Sequence, residues 1–231
     1  MSEASAMAIT DDSFVERFTK RISEYCDAPE IFLTASAYHL LSSLLGPFFA
    51  SKTIAMASEF GMKLNVWILL SSIPGRMRRS TIHNYENYVY KKVLNNWYSN
   101  EEDKKKISTS IIDEGTPEGI ADHINLNPAL SKYVIKTPEF GGVLSKTKEG
   151  GYEYGLPTFL SKLYDGAEWT QYLSGRGGKT SVRSIPSGLY VTMFAGMQEP
   201  ELYLDEKMLR QGLLRRIIIC YVTPDMLTMS K

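Results

Sequence analysis

The stretch Leu64-Asn65-Val66-Trp67-Ile68-Leu69-Leu70-Ser71-Ser72-Ile73-Pro74-Gly75-Arg76-Met77-Arg78-Arg79-Ser80-Thr81 decides how the chain reads. Its opening residues, Leu64 to Leu70, form a short apolar run bounded by turn residues, the pattern of a strand buried on both faces. Ser71 to Arg79 reads as a loop. A long helix follows to about Trp97, with Ile82, Val89, Val93 and Trp97 on its inner side. Strand, turn and helix start in that order form a cradle for phosphate, because backbone N–H groups converge and the helix dipole favours an anion. Arg76, Arg78 and Arg79 beside a helix N-terminus oppose that dipole, and a bound anion would remove the conflict. The nucleotide-binding candidates are therefore Pro74, Gly75, Arg76, Arg78, Arg79, Ser80 and Thr81. Against the pattern GxxxxGK[ST], both glycines are absent from their positions, with Arg78 in place of the second and Arg79 in place of the lysine. Ser80-Thr81 sits where a Mg²⁺-binding hydroxyl belongs. A plain strand-to-helix turn with a basic start is the rival reading of the same residues.

Outward from this stretch, strands and helices alternate. Further strands are expected at Ser108 to Ile112, Lys132 to Lys136, Gly188 to Ala195 and Arg216 to Val222. Helices are expected after Thr116, which caps with Pro117 in the first position, over Pro157 to Tyr164, and near Asp205 to Gly212. Lys- and Gly-rich residues 145–155 read as a loop, and Ser174 to Lys179 as a Gly-rich segment. The alternation predicts an α/β fold with a mostly parallel central sheet flanked by helices. Toward the N-terminus, Phe14, Phe18 and Ile22 line one face of a helix. Asp27-Ala28-Pro29-Glu30 reads as a capping start for a second, Ile31 to Leu45, apolar nearly all round and so expected to be buried. Residues 1–60 are thus a small helical region and 61–231 the α/β core.

Composition narrows the function. The chain has 231 residues, 43% hydrophobic and 23% charged, which excludes disordered and disulfide-scaffold classes. Lys and Arg number 26 against 26 Asp and Glu, so the whole molecule exerts no long-range pull on a polyanion. The balance is nonetheless sorted: residues 61–100 hold six bases and one acid, and 174–198 hold three bases and no acid. Those three, Arg176, Lys179 and Arg183, are DNA-binding candidates that would follow a phosphate backbone by charge. Cys26 and Cys220 have no metal-ligand spacing, and a reduced compartment is the default. No apolar run reaches membrane-span length, and the N-terminus is neither a signal nor a transit sequence, so a cytoplasmic protein without a membrane partner is expected. His39 reads as a core histidine and His83 as a surface residue.

Six segments in order carry a resemblance. Arg78-Arg79-Ser80-Thr81, Thr116-Pro117-Glu118-Gly119, Pro138-Glu139-Phe140-Gly141-Gly142, Leu163-Tyr164-Asp165-Gly166, Met197-Gln198-Glu199-Pro200 and Gln211-Gly212-Leu213-Leu214-Arg215-Arg216 follow one another from the apolar run to the C-terminus. Together they resemble a family of P-loop ATPases with an atypical phosphate loop. Its members belong to plasmids, viruses and other mobile elements, are associated with primases, and look like replicative helicase domains of RecA-like or AAA-like type. The resemblance implies ATP and Mg²⁺ as cofactors, with Glu139 orienting the attacking water and Gln198 sensing the γ-phosphate. Arg216 would act as an arginine finger in a neighbouring subunit, with Arg210 in reserve. Ser80 would hold the metal, and Asp113 would stand in for the family's usual acid, which is Pro138 here.

The function so implied is an ATP-dependent DNA helicase or translocase in mobile-element replication. Single-stranded DNA is the expected polymer, a ring such as a hexamer the expected assembly, and a primase or other replication protein a further partner. Two alternatives stand beside it. One is a degenerate nucleotide-binding assembly or regulatory module with little ATPase activity, which the replaced glycines, Arg79 and Pro138 would suit, since arginine lacks lysine's compact ammonium. The other is a non-enzymatic DNA-binding protein.

Overall fold

The computed structural model describes residues 13–48, 63–73, 78–98, 100, 102, 105–106, 109–113, 115–145, 155–174, 180–198, 212–223 and 225–226. In chain order the main elements are α1 (Phe14–Ser23), α2 (Glu30–Leu45), β1 (Trp67–Ser72), α3 (Arg79–Trp97), β2 (Ile111–Ile112) and α4 (Pro117–Asn125). There follow β3 (Lys132–Thr137), α5 (Phe140–Ser145), α6 (Leu156–Asp165), β4 (Trp169–Ser174), β5 (Thr180–Ile185), β6 (Tyr190–Met197) and β7 (Ile218–Val222). Five strands make one sheet in the order β2-β3-β6-β1-β7, and every neighbouring pair is parallel. The expected α/β class, with a parallel sheet between helices, is the observed one. All six residues of β1 are buried, because β1 lies between β6 and β7 and both its faces are covered.

Two helical layers cover the sheet. On one face Ile22, Phe32, Leu33 and Ile82 pack on Ile68, Leu70, Phe194, Cys220 and Val222. Leu40, Leu44, Tyr90 and Leu94 extend this layer over Val134. On the other face Trp67, Leu69, Tyr133, Ile135 and Met193 meet Ile120, Phe140, Phe159 and Leu160 from α4, α5 and α6. The N-terminal helices α1 and α2 thus share one core with α3 and the strands.

Four expectations need correction. First, α2 is not wholly buried: Ile31, Tyr38 and Leu45 are 49%, 54% and 38% exposed. The helix lies in an outer layer, so its apolar circumference meets the sheet on one side only. Second, Asp27 does not cap α2; Pro29 occupies that position and no side chain caps it. Third, the inner stripe of α3 is Ile82, His83, Glu86, Tyr90 and Leu94, whereas Trp97 is 49% exposed. Fourth, the strand expected from Arg216 begins only at Ile218, Leu214–Arg216 forming a 3₁₀ turn. β7 is an edge strand, and Ile218 and Ile219 are 56% and 36% exposed.

One element has no counterpart in the expected organisation. β4 and β5 form an antiparallel hairpin, paired from Trp169↔Ile185 to Ser174↔Thr180. Trp169 seats it edge-on against Phe159 of α6, with ring centroids 4.7 Å apart. Residues 175–179 join its paired ends and lie outside the described residues, as do most of the expected loop at 145–155 and the expected helix near Asp205 to Gly212.

Candidate functional site

A fully parallel sheet opens all its strand C-termini on one edge, where ligands of such folds bind. The pairs Ser71↔Met197 and Thr137↔Ala195 bring the ends of β1, β6 and β3 together there. The Ser71 hydroxyl donates to the carbonyl of Gln198 at 2.5 Å, fixing the residue after β6 beside the end of β1. A Cβ on Gly196 would lie 2.5 Å from the Pro138 carbonyl oxygen, so glycine permits the Pro138-Glu139 turn to approach β6. Arg78 to Thr81 at the start of α3, Glu139 and Gln198 therefore gather at one edge, with Asp113 following β2 on its far side. Glu139, Asp113, Ser80 and Thr81 are exposed; Gln198 and Arg79 are half-buried. Pro74, Gly75 and Arg76 lie outside the described residues.

The start of α3 has an unusual backbone. Arg78 takes φ 52° and ψ 23°, the left-handed conformation, alone among the described non-glycine residues. This is the position where the phosphate-loop pattern places glycine, and the backbone there adopts what glycine supplies without strain. The Arg78 Nε lies 2.9 Å from Asp27 Oδ1, and that hydrogen bond and charge hold the Asp27 carboxyl below its ordinary value. Asp27, which the sequence offered as a helix cap, instead ties the α1–α2 connection to the loop. The first turn of α3 carries no acid, and no side chain caps its opening N–H groups. Its opening N–H groups are oriented as an anion needs. Ser72, the last residue of β1, is wholly buried, and its hydroxyl has no partner among the described residues.

Arg216 stands apart from this group. It lies in the short 3₁₀ turn Leu214–Arg216, before β7, and so at the opposite edge of the sheet. Its guanidinium grips Asp165 through Nε (2.9 Å) and Nη2 (2.7 Å), and Nη1 donates to the Gly212 carbonyl at 2.8 Å. On the hairpin, Arg183 Nε pairs with Asp122 at 3.0 Å; Arg176 and Lys179 lie outside the described residues.

Beneath the site lies a charged cluster that the sequence reading did not name. Glu86 of α3, Lys136 of β3 and His39 of α2 are each fully buried. One Glu86 oxygen accepts from Lys136 Nζ at 2.5 Å, and the other lies 2.8 Å from His39 Nδ1. Burial alone would raise the Glu86 carboxyl, but Lys136 and His39 bring it down to about 2. Lys136 also lies 4.5 Å from the Tyr90 ring. His39 and His83 both stack on Phe194, with centroids 5.1 and 5.8 Å away. His39 is the expected core histidine, whereas His83 is also buried, at 7% exposure, because the inner stripe of α3 runs through it. A usable signal was present: Ile82, Glu86, Tyr90 and Leu94 recur every four residues, opposite the lone lysine of the apolar run Tyr133 to Lys136.

Among the described residues no group of three or more His, Cys, Asp or Glu is placed to hold a metal. A Mg²⁺ ion carried by substrate phosphates keeps several waters and takes few protein ligands, of which the Ser80 hydroxyl would be one. No helix among the described residues is long and apolar enough to cross a membrane. No protein-family model matches the chain, and no curated protein matches it in sequence.

Proposed function

We propose that the sheet edge formed by the α3 N-terminus, Glu139 and Gln198 binds and hydrolyses ATP, and that the protein is a helicase-like ATPase acting on DNA. The observation that carries this reading is the left-handed Arg78 at the mouth of an uncapped, acid-free helix start, directly after the buried strand β1. Arg79 and the first N–H groups of α3 would hold the β- and γ-phosphates. Mg²⁺ on Ser80 would neutralise charge on the transferred phosphoryl group, while Asp113, after β2 at the far end of the sheet order, stands apart from Ser80. Glu139 would orient water toward the γ-phosphorus and accept its proton, and Gln198 would contact the same phosphate.

The hairpin extends the reading to DNA. It carries Arg183, and residues 175–179, which follow β4 and precede β5 in sequence, read Gly-Arg-Gly-Gly-Lys. A basic segment of this composition would follow phosphates without reading bases. Assembly as a ring, with Arg216 serving a neighbour's nucleotide, completes the resemblance-based picture. The internal Arg216–Asp165 grip favours a second reading, a nucleotide-binding module with slow turnover.

The decisive experiment measures Mg²⁺-dependent ATP turnover with and without single-stranded DNA, on material of known oligomeric state. Glu139→Gln is expected to abolish turnover with ATP binding retained, and Arg79→Ala to weaken binding at least tenfold. ATP binding without turnover in the unaltered protein would select the second reading. Absence of ATP binding would overturn both.

A further inference from the structure

The buried cluster touches each element that meets at the central part of the site. Glu86 and His83 belong to α3, which begins with Arg79 and Ser80. Lys136 belongs to β3, which leads into Glu139. Phe194 belongs to β6, which leads into Gln198, and it pairs in register with both Lys136 and Ile68 of β1. His39 adds α2. Glu86 lies about 10 Å along α3 from Arg79, at roughly 1.5 Å per residue. Lys136 lies about 10 Å along the chain from Glu139, at roughly 3.3 Å per residue. The Glu86–Lys136 bond therefore closes a triangle whose two legs carry the phosphate-binding and water-orienting groups.

Stability alone does not account for this arrangement. A buried ion pair is often matched or exceeded in stability by apolar residues of similar volume, because desolvating two charges offsets their attraction. An apolar pair, however, tolerates sliding, whereas a lysine–carboxylate bond with a second hydrogen bond from His39 fixes a length and a direction. Both oxygens of Glu86 are taken, so a shift of α3 against β3 would break a bond with no water to replace it.

We propose that Glu86 is a positioning residue: through Lys136 it couples the phosphate-bound state of α3 to the placement of Glu139. This rests on the nucleotide-site reading above. Loss of the pair leaves ATP affinity intact and lowers turnover, because the phosphate contacts survive and the alignment of water does not.

The test compares the full chain with the apolar double variant E86L/K136M and with the neutral double variant E86Q/K136M, which keeps the shape of residue 86, leaves no buried charge unpaired and serves if the first fails to fold. Hydrogen exchange is followed with and without Mg²⁺–ATP at residues 79–83 and at 137–142, alongside ATP affinity and turnover. In the unaltered protein ATP is expected to slow exchange in both segments. In the variants, protection at 79–83 and affinity within about threefold of the original persist, protection at 137–142 is lost, and any turnover falls at least tenfold. Protection at 137–142 that survives in a folded variant, or that never occurs in a protein protected at 79–83, overturns the coupling alone. Protection in neither segment of the unaltered protein overturns the nucleotide reading, and the coupling with it.

Discussion

At Arg78 one residue meets two opposed demands. Its left-handed backbone costs an L-residue on the order of 1 kcal/mol, and its guanidinium reaches Asp27. Replacing it with glycine removes the backbone cost and the ion pair together; alanine removes the pair and keeps the cost. Arg78→Gly is therefore expected to be more stable than Arg78→Ala by about 1 kcal/mol in urea denaturation. Equal midpoints would show that the loop relaxes out of the left-handed region when the arginine is lost. Asp165 presents a comparable conflict. If Arg216 serves a neighbouring subunit, it must first leave Asp165, so Asp165→Asn should raise turnover of the assembled protein. The same change should lower stability by less than about 1 kcal/mol, the pair being partly exposed. Unchanged turnover with an unchanged oligomer would remove Arg216 from the proposed chemistry.

Single elements explain why some of the recognised segments are conspicuous in sequence. Leu163-Tyr164-Asp165-Gly166 ends α6: Leu163 is buried, Tyr164 meets the Trp67 ring edge-on, and Gly166 closes the helix at φ 62°. A Cβ there would lie 2.6 Å from the Leu189 carbonyl and still closer to Lys63. Gly166→Ala should therefore cost at least about 2 kcal/mol, combining the left-handed cost with the clash, as read by the thermal midpoint. Thr116 caps α4 by accepting from the Gly119 N–H at 3.1 Å, and Thr116→Ala should cost about 1 kcal/mol. Runs such as Trp67 to Leu70 were legible because both faces are covered, and Thr116-Pro117 because a cap is local chemistry. The β4–β5 hairpin was not legible: two six-residue strands of mixed polarity show no firm alternation, and the segment 175–179 reads equally as a loop between other elements. Glu139 and Gln198 were placed in sequence only through resemblance, whereas the α3 start was read from the order of strand, turn and helix. Their adjacency follows from sheet order, which pairs β1 with β6, and no local pattern encodes a pairing at that separation. The Glu86–Lys136 pairing was missed for the same reason: the four-residue stripe marks Glu86 as inward-facing, but no local pattern names its partner.

Across the whole molecule, acid is the condition that should expose the buried cluster. Burial holds the pKa of His39 and His83 below the ordinary 6.5, so the unfolded chain takes those protons first. Stability from this source is complete above pH 6.5 and declines below it. Glu86, at about 2 when folded against 4.5 otherwise, contributes stability above pH 4.5 that is lost as pH falls toward 2. That second loss is on the order of 3 kcal/mol, from the size of the shift. A Tm titration should show a shallow decline from pH 6.5 and a steeper one below 4.5, and Glu86→Gln should remove the steeper limb. The hairpin has a bulk signature of its own. If Arg176 and Lys179 contact single-stranded DNA phosphates, each substitution to alanine should flatten the salt dependence of binding by a slope of about 0.7. The sheet order also governs how the chain emerges during synthesis. Trp67 pairs with Met193, and Ile68 with Ile218, so the interior strand β1 leaves the ribosome long before either neighbour exists. At roughly 5–20 residues per second, its apolar run waits about 6–25 s for β6. A nascent chain of this topology is a substrate for holdase chaperones throughout that interval, and slowing translation between α3 and β6 should lower the soluble yield without altering the finished protein.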